Sequence, residues 1–321
     1  MKSVIRNKEE LLARGDVESR RIVLELAERT LARLHAGDRI RSILHRTGSV
    51  VTIGEKTWDL AQKRHVYLIG AGKACNAMAM AVEEVLGEYL TEGIAVVKVL
   101  EPADVFQKTR VFVGGHPVPN EEGLRASREV LKLIEGASPQ DLFFCVMSGG
   151  SSALLSCPVE GISLQEEIET TDILLKSGAN IREINAVRRH ISAINGGRMA
   201  QKIADRGAEL VGFNISDSVA YGPTSDISVP WEHFSATPMG PDFTTVADAL
   251  EVIRAYGLRD RLPSSVVRYL ETCGPEGETP KSFPGNTYYQ INTLPDSCIY
   301  AKEEADKLGI PALVLTTFLE G

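Results

Sequence analysis

The stretch YLIGAGKACNAMAMAVEEVLG, from Tyr67 to Gly87, changes its hydrophobic period half-way along. Val66 to Ile69 is a short β-branched apolar run of the kind that forms a buried strand. From Ala74 onward Met78, Ala81, Val82 and Val85 recur at helical spacing. Gly70-Ala71-Gly72 therefore reads as a strand-to-helix turn, and Lys73 opens the helix. A cation there faces the positive end of the helix macrodipole, an unfavourable placement unless an anion binds beside it. A lysine that merely extends into solvent is the competing reading. The turn is not a P-loop, because Tyr67 and Ala74 stand where a glycine and a Ser or Thr are required. It is not a dinucleotide fingerprint either, because Cys75 replaces the third small residue.

Outward from this unit, strands and helices alternate. Strands are expected at Ile94–Val99, Val111–Val113, Leu142–Met147 and Leu210–Ile215. Helices are expected at Glu121–Ile134 and in three stretches between Leu164 and Ala204. The pattern predicts an α/β fold: a Rossmann-like, mainly parallel sheet with helices on both faces. Asn7 to Thr47 reads as helical, which gives an N-terminal segment (1–65) packing on a main domain (66–235). Asp217 to Asp242 is rich in Pro, Gly, Ser and Thr and reads as a junction. Helices at Thr244–Tyr256, Pro263–Leu270 and Pro295–Leu308, with strands at Asn286–Asn292 and Ala312–Thr316, are expected to start a second α/β domain (236–321). The sequence is expected to end inside that domain.

Composition narrows the partners. The 321 residues are 43% hydrophobic with a net charge of −8, enough for sizeable cores and unsuited to a nucleic-acid backbone. Five cysteines form no C-x-x-C pair, so reduced core thiols are expected. Charges from Lys2 onward exclude a signal peptide, and the uncharged run from Leu142 to Val159 is broken by SGGSS. A cytoplasmic protein without membrane contact is the expectation, and a homodimer is compatible with it.

Four segments, GAGK, GGHPVPN, SGGSSALL and NISDS, carry candidate chemistry at the carboxyl ends of strands, where such sheets bind ligands, and a fifth lies on a helix. Ser148-Gly149-Gly150-Ser151-Ser152 follows a buried strand, and its glycines and hydroxyls suit a phosphate or carboxylate. An ordinary tight turn would use the same residues, and the Gly-x-Ser-x-Gly pattern of a serine hydrolase is absent. Asn185, Arg188, Arg189 and His190 cluster just before the Gly196-Gly197 break, as a grip on an anionic substrate would. His116, in GGHPVPN, is a candidate acid/base or ligand-orienting group. Asp217 is a candidate to hold a metal or accept a proton, although an aspartate closing a strand is also a common turn former.

The segments GAGKA, HPVPN, SGGSSALL, EINAVRRHISAINGGRMA, ISDS and ETPK together resemble the glycerate 2-kinase family in order and spacing, over nearly the whole chain from Val66. The resemblance implies two α/β domains facing across a cleft. It implies transfer of the γ-phosphoryl group of ATP to the 2-hydroxyl of D-glycerate, or of a related small hydroxy acid, with Mg²⁺. It carries the family's functional lysine onto Lys73, in agreement with the helix-dipole argument. Lys73 and Arg188 are then the catalytic candidates. Gly70, Gly72 and Ser148 to Ser152 would bind the nucleotide, and His116, Asn185, Arg189 and His190 the acid, with Asp217 on the metal. The sequence departs from the family pattern at Asn120, at Ala236–Met239 and after Asp217. A non-catalytic module that binds a phosphorylated sugar acid is the alternative function.

Overall fold

The computed structural model describes residues 4–217, 227–228, 230, 238–283 and 285–317. Three helices open the chain: α1 (Lys8–Leu12), α2 (Val17–Arg33) and α3 (Ala36–Ile43). An antiparallel three-stranded sheet follows, β1 (His45–Thr47), β2 (Val50–Ile53) and β3 (Lys56–Asp59), where the sequence reading placed helix up to Thr47 and no strand. Then come β4 (His65–Gly72), α4 (Cys75–Leu86), β5 (Glu92–Val97), β6 (Thr109–Val113), α5 (Glu121–Glu135) and β7 (Asp141–Ser148). The rest runs α6 (Ser151–Leu154), α7 (Leu164–Ser177), α8 (Ile181–His190), α9 (Arg198–Asp205), β8 (Glu209–Ile215), α10 (Val246–Ala255), α11 (Ser264–Thr272), β9 (Thr287–Asn292) and α12 (Leu294–Lys307).

The main sheet has the order β6-β5-β4-β7-β8-β9, and every pairing in it is parallel. In order of appearance that is 3-2-1-4-5-6, the doubly wound arrangement whose crevice lies between its first and fourth strands, here β4 and β7. Both strands are buried along nearly their whole length, so successive side chains serve opposite cores. Tyr67, Ile69, Phe143 and Cys145 face a core with Val130 of α5 and Ile203 of α9. Val66, Leu68, Leu142 and Phe144 face a core with Ile40 of α3 and Met78 of α4. Helices thus cover both faces, as expected.

The region after 236 corrects the expected domain division. β9 pairs with β8 as the sixth strand of the main sheet and does not found a second one. Residues 312–316, expected as a strand, have no regular structure. Leu258, Val266 and Leu270 of the α10–α11 region join Leu174, Ile184 and Val187 of α7 and α8 in a separate apolar cluster. Two crossovers, one before β8 and one after it, together form this small helical lobe, because neither could bury its apolar stripe alone.

One buried ion pair fixes the entry to the crevice strands. Asp141, with its side chain fully buried at the start of β7, accepts from Nε and Nη2 of Arg64 at 3.0 and 2.5 Å and from the Ser138 amide at 2.8 Å. Burial alone would raise the Asp141 pKa, but these donors hold it below the usual carboxylate range. A depressed carboxylate pKa contributes stability above its unfolded value, about 3.9, which is lost as pH falls through the folded value. Arg64→Ala should therefore lower stability at pH 7, by less than the loss of a fully buried partner would, because Arg64 is 42% exposed. The deficit should shrink near pH 3. Urea midpoints at the two pH values check both statements, and an equal deficit at both would contradict them.

Candidate active site

At the carboxyl ends of β4 and β7 the two glycine segments lock together. The Lys73 amide donates to the Gly149 carbonyl at 2.9 Å, and the Ala74 amide donates to Oγ of Ser148 at 2.9 Å. β4 extends through Gly72, so Gly70, Ala71 and Gly72 are strand residues, and the chain turns at Lys73-Ala74. Gly70 thus lies within β4, two residues before its end, and not in the turn itself. A Cβ at Gly70 would lie 2.6 Å from Sγ of Cys75 and 2.9 Å from Val146, so glycine is there to let α4 pack on the sheet. Gly72 acts likewise, against Ser148, at a φ of +133°.

Lys73 precedes α4, whose N-terminus no side chain caps. Its Nζ lies 2.6 Å from Oδ2 of Asp217, with the two side chains 46% and 58% exposed. Asp217 is 144 residues away in sequence and reaches this position because β8 lies beside β7. Its carboxylate also packs over Gly149, where a Cβ would come within 2.3 Å of it. His116 covers the next residue: a Cβ on Gly150 would fall 2.6 Å from its ring, and Gly150 has a φ of +89°. The structure thus gathers Lys73, His116, Gly149, Gly150 and Asp217 in one crevice. Burial pushes the His116 pKa down, and Lys73 and Lys98 push it the same way, against a smaller opposite pull from Asp217. The imidazole is therefore neutral at pH 7. Among the described residues its Nδ1 is buried without a partner, and the ring lies against Gly150.

Ser148 and Ser151 are buried, and Ser152 joins a second group of candidates in a small pocket with Asn185, Arg188 and Arg189. Glu167 and Asn195 complete that pocket. Arg189 is mainly spent on structure: its Nη1 is 3.0 Å from Oδ1 of Asp242, a carboxylate only 1% exposed that also binds Thr244 and Thr279. His190 is the one candidate removed from the site. It is fully buried, with Nδ1 2.7 Å from the Ala186 carbonyl and Nε2 3.6 Å from Glu278. Consecutive residues on a helix point about 100° apart, and α8 turns His190 away from the pocket that Arg188 lines.

Glu167 is the lining residue that sequence reasoning missed, whereas Asn195 stands beside the arginine cluster in the sequence itself. Helical spacing gives the signal for the first: Leu164, Glu167, Thr170 and Leu174 share the buried stripe of α7, and a carboxylate on such a stripe needs a reason. Asn195 donates through Nδ2 to the carbonyls of Ser152 and Leu155, at 3.2 and 2.9 Å, tying the turn after β7 to the loop after α8. Among the described residues no group of three or more metal-ligating side chains surrounds Asp217, and no helix is long and apolar enough to cross a membrane. The departures at Ala236 and Thr237, and after Asp217, lie outside the described residues. Asn120 serves as the N-cap of α5, accepting from the Gly123 amide at 2.9 Å. An aspartate there would cap equally well, so this departure leaves the helix start intact.

A six-stranded parallel sheet with polar groups converging on its switch point defines the class: a doubly wound α/β protein with a polar crevice at that point. The chain belongs to the DUF4147 family, a domain of unknown function, whose profile matches residues 22–271. It is 34% identical over 300 residues to a glycerate 2-kinase of Pyrococcus horikoshii, covering 90% of this chain and 63% of that one. It is 35% identical over 255 residues to a D-glycerate 2-kinase of Thermotoga maritima, covering 79% and 57%. The solved structure of a glycerate kinase from Thermotoga maritima superposes with a TM-score of 0.72 at 29% identity, covering 92% of this chain and 64% of that one. A solved Pyrococcus horikoshii structure superposes at 0.76 with 32% identity, covering 91% and 64%. The chain spans less than two-thirds of the length of these relatives.

Proposed function

We propose that this protein is a glycerate 2-kinase, transferring the γ-phosphoryl group of ATP to the 2-hydroxyl of D-glycerate or a closely related small hydroxy acid. The observation that carries this reading is the meeting of Lys73, Asp217, His116 and the Gly149-Gly150 turn at the switch point. Phosphoryl transfer needs mainly positioning and neutralisation of charge spread over the phosphoryl oxygens. Lys73 supplies a mobile cation on the rim. Gly149 and Gly150 leave room for a ligand oxygen to approach the backbone. Neutral His116 can accept the proton of the acceptor hydroxyl as its oxygen bonds to phosphorus and the bond to the leaving ADP oxygen breaks.

ATP and Mg²⁺ fit the residues present. Mg²⁺ keeps most of its waters and takes one or two carboxylates beside the phosphates, and Asp217 supplies one exposed carboxylate. Bound there, the ion would offset phosphate charge. The Lys73–Asp217 pair supports this reading, since phosphate and cation would each replace one member's present partner.

The test is ADP release from the purified chain with a panel of sugar acids. Turnover on D-glycerate sustains the proposal. Binding without turnover would replace it with a non-catalytic sugar-acid module. The His116 assignment adds a pH signature. With its pKa depressed, the base is lost only as pH falls below the ordinary histidine value of about 6.5. The acid limb of kcat/KM should therefore lie below pH 6.5 and disappear in His116→Gln, together with most of the activity. An unchanged limb in that variant would take His116 out of the proton transfer.

A further inference from the structure

The small pocket behind Ser152 has a pattern of its own. Three of its polar atoms are buried without a partner among the described residues: Nε of Arg188, Nε of Arg189 and Oδ1 of Asn195. Two are cationic N–H donors and one is a neutral acceptor. Unpaired buried polar atoms are costly, and charged ones most of all. A ligand that satisfies all three brings anionic oxygen for the guanidinium groups and a hydroxyl hydrogen for the amide oxygen. A 2-hydroxy carboxylate carries both on adjacent carbons.

Charge and size point the same way. Arg189 already has Asp242, so Arg188 is the less compensated cation. Burial above all, and Arg189 beside it, lower the Arg188 pKa against the opposite pull of Glu167, which is only 3% exposed and bonded to Oγ of Ser156. An incoming anion relieves both. The space open to the centre of a water-sized sphere is only about 10 Å³, enough for a carboxylate oxygen and too little for a phosphoryl group. Asn195 pins the rear wall to the Ser152 and Leu155 carbonyls.

We propose that this pocket seats the carboxylate end of the hydroxy acid, so that the Arg188 side of the glycine turn takes the acid and the Lys73 side takes the phosphates. The assignment rests on the hydroxy-acid reading above and divides its site in two.

Calorimetric titration of the full chain, without turnover, tests it with D-glycerate, methyl D-glycerate and Mg·ATP as separate probes. D-glycerate should bind at least ~10-fold more tightly than its uncharged ester, the value of a charge-assisted hydrogen bond. Arg188→Lys and Asn185→Ala should each weaken D-glycerate by ~10-fold or more and change Mg·ATP by less than ~2-fold. Lys73→Met should do the reverse. Thermal unfolding of each variant checks the fold, and half-buried Asn185 provides the second route if Arg188→Lys is unstable. The assignment is overturned if wild type does not bind D-glycerate, if the ester binds equally, or if acid and nucleotide weaken together in the pocket variants. Absence of ADP release with this binding pattern intact would remove the kinase reading and leave the carboxylate pocket standing.

Discussion

Lys73→Met is expected to lower kcat/KM for the hydroxy acid by ~10²-fold or more while leaving the melting temperature nearly unchanged. The two halves of that expectation have separate causes. The Lys73 side chain is 46% exposed, and Asp217, its one ion-pair partner among the described residues, is 58% exposed. Such pairs contribute about 0–1 kcal/mol to stability, because water competes for both charges. The backbone bonds that organise the turn, Lys73 amide to Gly149 and Ala74 amide to Ser148, do not involve the ammonium and survive the substitution. Methionine keeps the length of the stem and deletes only the charge. In the phosphoryl transfer proposed above that charge would have a larger role, facing phosphoryl oxygens in a crevice where preorganised donors lower the barrier by several kcal/mol. Steady-state kinetics and a thermal scan on one preparation check both halves. Near-wild-type turnover would take Lys73 out of the reaction, and a large drop in melting temperature would make it a structural residue.

The central crevice was legible because its causes are local. Val66–Ile69 and Leu142–Met147 are continuous apolar runs, which only a strand buried on both faces explains, and each is followed at once by glycines. That placed Lys73 and Ser148 to Ser152 at the carboxyl ends of buried strands before any pairing was known. The partner of a parallel strand is set by distant segments, and there the sequence is silent. Thr287–Asn292 reads as a strand in isolation, and nothing in its residues assigns it to β8. The same holds for α10 and α11, whose apolar faces could have closed a new domain and instead meet α7 and α8. The small sheet of β1 to β3 is a different miss. The two-residue Gly54-Glu55 link between Ile53 and Lys56 is a hairpin signal. At the site, spacing separates the directions of Arg188, Arg189 and His190 but does not say what each direction meets. Which of them faces Ser152, which meets Asp242 and which is buried follows from how α8 packs.

Gly72→Ala is expected to have the largest effect on stability, about 3 kcal/mol or more, although it adds a single methyl group. Gly72 has a φ of +133°, where an L-residue with a Cβ pays about 1–3 kcal/mol in strain. The new Cβ would also lie 2.1 Å from Oγ of Ser148, 2.7 Å from its carbonyl oxygen and 2.8 Å from its amide nitrogen. A rotamer change can move the hydroxyl aside, but the two backbone atoms can retreat only if the ends of β4 and β7 separate. That separation breaks the Ala74–Ser148 and Lys73–Gly149 bonds, so ligand binding should fall with stability. Gly161→Ala isolates the strain component. Its φ is +87°, and a Cβ there meets nothing within 4 Å. Urea unfolding of the two variants then separates strain from close approach, and the excess loss in Gly72→Ala measures how rigidly β4 and β7 are held together. Equal losses would mean that the strand ends yield at little cost, and a crevice that yields so easily could not hold Lys73 and the Gly149-Gly150 turn in fixed register for phosphoryl transfer.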